Sequence, residues 1–293
     1  MFNNIDIIKE IFHNLDLEYQ IYFIQINKQF NKLKIIDLYN IKYKYLEKLN
    51  DNILQIYKDC ERLYAKDNKN VKNINHLTNL KILNCVGHCG VSDEDIQNLD
   101  LITLKCSYNE KITKINHMKN LKNLECQYHG NLNNDGVVGL DLKKLNILHN
   151  NNINININQF TNLKSLCCGY LSGTYDLKSL NLKSLFAYNV HIKNINHMTN
   201  LELLDCGGYI SNVNDDDLKN LNLTKLYMDD NMIIKNISHM DNLRILSCNN
   251  TNINDNSIKN LNLINLKCST NKNITNVEHM TNLKMLNYIK IKK

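Results

Sequence analysis

Ten cysteines and ten histidines are the residues of this 293-residue chain most able to do chemistry. Thiolates and imidazoles at short spacing hold zinc, and an activated thiol beside an imidazole attacks carbonyls. Cys85-Val86-Gly87-His88-Cys89 has the spacing of half a zinc site, but no second ligand pair follows at usable spacing. The other arrangements that carry chemistry do not stand out: no Gly-rich phosphate loop, serine elbow or paired-carboxylate signature. The sequence therefore predicts no catalytic residue, no metal and no cofactor. Cys89 and Cys167 remain as the two cysteines outside any periodic pattern, and so as the only candidate nucleophiles.

The elements that must position these residues come from a repeat. I-N-H-L-T-N-L-K at Ile74 returns as I-N-H-M-K-N-L-K at Ile115, I-N-Q-F-T-N-L-K at Ile157 and I-N-H-M-T-N-L-E at Ile195. It returns again as I-S-H-M-D-N-L-R at Ile237 and V-E-H-M-T-N-L-K at Val277, a period of about 38 to 42 residues. Each long unit splits in two. The pattern L-x-x-L-x-C-x-x-N-x-x-I is clean at Leu101, Leu104, Cys106, Asn109 and Ile112, and again from Leu223 and from Leu263. A weak first copy starts at Cys60, giving about twelve units of about 20 residues.

From Cys60 onward the chain resembles the leucine-rich repeat family. The resemblance implies an α/β solenoid, with a parallel sheet on the concave side and short helices or 3₁₀ turns on the convex side. Such proteins, with this AT-rich coding character, are of the kind found in large DNA viruses and protists. The residues agree with the fold. Leu104-Lys105-Cys106 alternates apolar and polar as a half-buried strand does. The Asn after the strand is expected to bond the backbone of its turn and of the next coil, doing the turn-making usually left to Pro and Gly.

On the convex side Ile195, Met198 and Leu201 recur every third residue, as a 3₁₀ or loose helical turn requires. The alternate half-units carry Ser92-Asp93-Glu94-Asp95-Ile96, Asn214-Asp215-Asp216-Asp217-Leu218 and Asn254-Asp255-Asn256-Ser257-Ile258, which read as short capped helices. At Asn133–Val138 and Gly173–Asp176 the cap pattern is lost and a distorted coil is expected.

Set in this frame, the cysteines lose their chemistry. Cys85, Cys106, Cys126, Cys168, Cys206, Cys248 and Cys268 share one inward strand position, where a free thiol serves as a small apolar group. His76, His117, His197, His239 and His279 share a convex position two coils apart. Neighbours would be roughly 9–10 Å from one another, too far to share zinc. They are read as structural.

A protein partner is expected on the concave face, where solenoids bind. The exposed positions there include Lys105, Glu125, Phe186, Tyr188, Asp205, Tyr227 and Asp229. Three aromatics over neighbouring strands, beside two acids, form the expected anchor. The function expected is therefore a non-enzymatic protein–protein interaction.

Residues 1–57 lack the repeat and read as helices ahead of a solenoid at 58–293. One reading is a cap over the open end of the core. The other rests on I-I-K-E-I-F-H-N-L-D-L from Ile7 and I-Y-F-I-Q-I-N-K-Q-F-N-K-L from Ile21, which are similar to the F-box, although Asn3-Asn4 replaces its usual opening Leu-Pro. That resemblance implies docking on the adaptor of a cullin ubiquitin ligase through residues 1–40, with Phe12, Leu15, Ile26 and Phe30 at the contact. The chain would then be a substrate receptor. Without it, the chain is a free-standing scaffold or decoy.

Bulk composition narrows the classes further. There are no Pro or Trp, only 9 Gly, and about 55 Asn, several times the usual share. The net charge of +6 is spread along the chain rather than clustered, so neither nucleic acid nor membrane is expected as a partner. No apolar run approaches the roughly 20 residues of a membrane span, and charges in the first ten residues argue against a signal peptide. A cytoplasmic protein is expected.

Overall fold

The computed structural model describes residues 46–128, 131–150 and 155–287, with 15, 19–20, 37–38 and 289–290. The adaptor-contact residues Phe12, Ile26 and Phe30 lie outside the described residues, and of the four only Leu15 falls within them.

Among the described residues, fourteen short strands form one sheet in sequence order, except that Thr174–Asp176 leaves it to pair with His191–Lys193 in a second, two-stranded sheet. Pairing is parallel from Asp37–Leu38 to Met285–Leu286, and only the last pair, with Ile289–Lys290, is antiparallel. Most strands are three residues long because the middle leucine alone must point inward. Leu104, Leu124, Leu145 and Leu166 each occupy that place with partly exposed neighbours. The cysteine following the strand turns inward as well, and Cys85, Cys106, Cys126, Cys168, Cys206, Cys248 and Cys268 are all buried. One continuous core runs from Leu38 to Leu283.

Two kinds of coil alternate. One kind carries a short helix on the outer side: α1 (Asp51–Ile56), α2 (Asp93–Ile96), α3 (Asn134–Val137), α4 (Asp215–Leu218) and α5 (Asp255–Ile258). Acids and capping residues at their starts satisfy the free N–H groups. Asn214 and Ser92 form capping boxes with Asp217 and Asp95. The other kind carries successive i→i+3 turns instead. In one such coil Met198 N–H donates to Ile195 O at 3.0 Å and Leu201 N–H to Met198 O at 2.8 Å.

Three side chains tie the coils of α1, α2, α4 and α5 to the turn-type coil after each; in the α3 coil Asn134 and Gln159 stand in place of the aspartate and histidine. Asn109 Nδ2 donates to Cys85 O (3.1 Å) and Val91 O (3.0 Å), while its Oδ1 accepts from Lys111 N–H (3.1 Å). Asn231 and Asn271 repeat this arrangement. The asparagine thus reaches back to the preceding coil rather than on to the next, because the carbonyls of that coil's turn, Cys85 O and Val91 O, open forward toward it. Asp93 Oδ1 accepts two backbone N–H groups, from Thr113 (2.8 Å) and Lys114 (3.0 Å); Asp51, Asp215 and Asp255 do the same. The repeating histidines close the other end. His117 Nε2–H donates to Ile96 O at 3.1 Å, the last residue of α2, and His76, His239 and His279 cap α1, α4 and α5 alike. His117→Ala should cost about 1 kcal/mol, as one hydrogen bond does. Urea denaturation checks it against His88→Ala, whose exposed ring lacks such a bond and should cost nothing measurable.

Two coils depart from the pattern. At Gly173–Asp176 the distortion expected from sequence is present as the strand Thr174–Asp176. There Val190 stands where the tying asparagine would be. The ladder to His191–Lys193 joins the two coils there in place of the asparagine. At Asn133–Val138 the expectation of a lost cap is corrected. Asn133 Oδ1 accepts from Gly136 N–H at 3.0 Å and α3 forms; only the return half of a capping box is missing, since Gly136 has no side chain.

α1 makes the same aspartate and histidine ties as the later helices, and Asp37–Leu38 pairs with Arg62–Leu63. The sheet and its ties therefore reach into the segment ahead of residue 58.

Candidate functional site

Register places one row of side chains along the concave surface: Asn84, Lys105, Glu125, Asn146, Cys167, Phe186, Asp205, Tyr227, Ser247 and Lys267 are successive Cα partners. The chain lifts each into the open because it lies between two buried neighbours on a strand. Asn84 and Ser247 are nonetheless buried by the residues beside them.

The seven residues singled out from sequence fall into two groups. Lys105, Glu125 and Phe186 line an open pocket of about 520 Å³ over the first half of the sheet, with Cys167 between them. Lys105 Nζ lies 3.1 Å from Glu125 Oε2, so these two charges are spent on each other. Tyr188, Asp205, Tyr227 and Asp229 line a separate pocket of about 350 Å³ further along. Phe186 belongs to the first pocket, not with the tyrosines, so the aromatic cluster is two rings rather than three.

In the second pocket the two acids differ. Asp229 is fully engaged: its Oδ1 accepts from Ser247 Oγ–H (2.7 Å) and Asn249 N–H (2.8 Å), and its Oδ2 lies 3.3 Å from Lys267 Nζ. Asp205 has one hydrogen bond, from Gly207 N–H at 3.3 Å, and no cation beside it among the described residues. Burial, with the nearby Asp229 charge adding to it, pushes the Asp205 carboxyl up to about 6. Tyr188 lies close over Gly207, where an added Cβ would come 3.0 Å from its ring and 2.6 Å from Asp229 O. Its hydroxyl donates to Asp230 Oδ2 at 3.3 Å, and burial pushes it up to about 12. A half-buried carboxylate lacking a counterion, with a tyrosine on the coil either side, suits a cationic group of a partner: charge pairing with the acid and cation–π contact with the rings.

No protein-family model matches the chain, and no curated protein matches it in sequence. Solved structures do. A leucine-rich repeat protein of Leptospira interrogans superimposes with a TM-score of 0.53 at 21% identity, over 86% of this chain and 78% of the other. The functional domain of InlJ from Listeria monocytogenes, described as including a cysteine ladder, matches with a TM-score of 0.50 at 20% identity. That match covers 79% of this chain but 49% of the other. An internalin, InlF, of the same bacterium is found at 17% identity and a TM-score of 0.44, over 81% of this chain and 89% of the other.

The fold is a leucine-rich repeat solenoid. Its buried cysteines belong to the repeat rather than to chemistry. Burial holds every thiol in the column above its ordinary value, and pushes Cys89 and Cys167 up to about 11. A nucleophilic thiol needs the opposite shift. No group of three metal-ligating side chains occurs among the described residues, and no helix there is long and apolar enough to cross a membrane.

One feature of the solenoid was not found from sequence. The third residue after the strand takes a left-handed backbone in ten successive coils, from Asp67 to Asn250, and in four successive ones it is aromatic: Tyr108, Tyr128, His149 and Tyr170, with φ between 52° and 60°. Their rings stack at 4.5, 4.7 and 4.2 Å between centroids, nearly parallel. Each left-handed residue costs about 1–2 kcal/mol, and each stacked pair returns about 0.5–1.5 kcal/mol. The signal was present as an aromatic column at the repeat period, visible only once strand ends are aligned.

Proposed function

We propose that the solenoid is a non-enzymatic binding protein that holds a protein partner on its concave face. A basic side chain of the partner seats against Asp205, between Tyr188 and Tyr227. The observation that carries this reading is the Asp205 carboxylate, half buried without a cation. Lys267 already serves Asp229, so the remaining acid offers the place for a lysine or arginine from outside. Alanine at both Asp205 and Tyr227 should release the partner from immobilised protein at neutral pH. Retention of every bound protein by that variant would end the reading.

The same residue makes a stability prediction. A carboxyl raised from 3.8 to about 6 destabilises the fold when ionised. Stability therefore rises as pH falls through about 6 toward 4, the folded state taking up the proton first. Asp205→Asn should stabilise the protein at pH 7 by about 1–3 kcal/mol and flatten its melting temperature between pH 7 and pH 5. A residue kept at a cost to stability and needed for binding is the mark of a functional position. An Asp205→Asn variant less stable than the parent at pH 7 would contradict the assignment.

A ubiquitin-ligase receptor role rests on the F-box resemblance of residues 7–33, with Phe12, Leu15, Ile26 and Phe30 at the adaptor contact. Co-purification with the ligase adaptor, lost on deleting residues 1–40, tests it, and absence of binding leaves a free-standing scaffold. The ten free thiols favour a reducing, intracellular setting for either role.

A further inference from the structure

The aromatic column stops at Tyr108 for a simple reason. In the coil before it the left-handed position is Gly87, at φ 77°, which brings no ring. One face of Tyr108 is covered by Tyr128, while the ring as a whole stays 46% exposed. Beside that free face lies an open pocket of about 440 Å³, within the range of small-molecule sites. Gly87, His88 and Tyr108 line it together with Lys69, Lys72 and Lys111. Lys111 is held in place, its Nζ donating to Cys89 O at 3.2 Å. Lys69 and Lys72 have no ion pair among the described residues. Glu110 is the one acid in the lining, and the Asp67 carboxylate, which accepts from His88 N–H at 3.1 Å, borders it at Gly87; three lysines against these two acids leave the pocket net positive.

The Asp67 carboxylate covers Gly87 itself, so a planar ring would enter from the pocket side onto the free face of Tyr108, and an anionic group on that ring would meet the lysines. We propose that this pocket binds a nucleoside phosphate, its base stacked on Tyr108 and its phosphate paired with Lys69, Lys72 and Lys111. A bare anion would leave the ring unused, and a neutral ring would leave the lysines unused. The site lies on the turn that leaves the concave sheet, apart from the two concave pockets, and does not depend on the partner bound there.

Calorimetric titration of the full chain with adenosine 5′-monophosphate at low salt tests the assignment. Saturable binding is expected, weakened about tenfold or more by Tyr108→Leu, since base stacking contributes on that scale. Tyr108→Phe keeps the ring face and should bind within about twofold of the parent. Lys69→Ala with Lys72→Ala should weaken the nucleotide about tenfold or more and leave adenosine unchanged. Both positions are exposed, and far-UV circular dichroism confirms that the variants keep the fold. Four results would overturn the proposal: no heat up to millimolar nucleotide, equal binding by inorganic phosphate, tighter binding by phosphotyrosine, or full affinity in Tyr108→Leu.

Discussion

Asn109→Ala should lower the stability of the array by roughly 2–4 kcal/mol, because one side chain satisfies three backbone groups in a place water does not reach. Its amide nitrogen serves Cys85 O and Val91 O, and its oxygen serves Lys111 N–H. The residue is 2% exposed, so the orphaned groups gain no solvent in exchange. Asn109→Leu fills nearly the same volume and should be almost as damaging, which separates hydrogen bonding from packing. Asn260→Ala, at an exposed turn position, should change stability by less than about 0.5 kcal/mol. Equilibrium urea denaturation followed by circular dichroism measures all three. Near-wild-type stability of Asn109→Leu would mean that the column of asparagines merely fills space.

Gly136→Ala should be comparably severe, at about 2–3 kcal/mol, for a steric reason. A Cβ there would stand 2.0 Å from the backbone oxygen of Thr113, which cannot rotate away as a side chain could. The contact arises because Ile115 N–H donates to Gly136 O at 2.9 Å and draws α3 onto the preceding coil. Gly173→Ala is the contrast. Its φ of 91° disfavours a side chain, yet nothing lies within 4 Å of the added atom. Only the backbone cost of about 1 kcal/mol should appear. Melting temperatures that rank Gly136→Ala level with Gly173→Ala would overturn the steric account.

The sequence was most informative where the requirement is local. The alternation Leu104-Lys105-Cys106 and the three-residue step of Ile195, Met198 and Leu201 read directly as strand and turn, since neighbours along the chain decide both. The cysteine column followed from the same alignment. What escaped is what neighbouring coils do to one another. The aspartate at the start of α1, α2, α4 and α5 looks like a solvated cap, and its two backbone donors lie about 20 residues away. The direction of the asparagine tie, backward rather than forward, depends on which carbonyls the turn exposes. The concave row was legible residue by residue. Its division into two pockets was not, because which side chains enclose a common space depends on packing across strands rather than on order along the chain.

The alternation of helical and turn-type coils also constrains how such an array can change its length. The asparagine and aspartate ties, and those of His76, His117, His239 and His279, join a helical coil to the turn-type coil that follows it, while His197 makes the corresponding bond, to Leu180 O at 2.7 Å, with the strand-bearing coil before it. Inserting or deleting a single coil would bring two coils of one kind together. An aspartate would then face no waiting N–H pair, as the pairs from Thr113–Lys114 and Lys235–Asn236 sit on turn-type coils. Adding or removing two coils restores every tie. The smallest piece that can be duplicated or lost without penalty is therefore the pair, about 41 residues, and tracts gained by duplication should come in multiples of it.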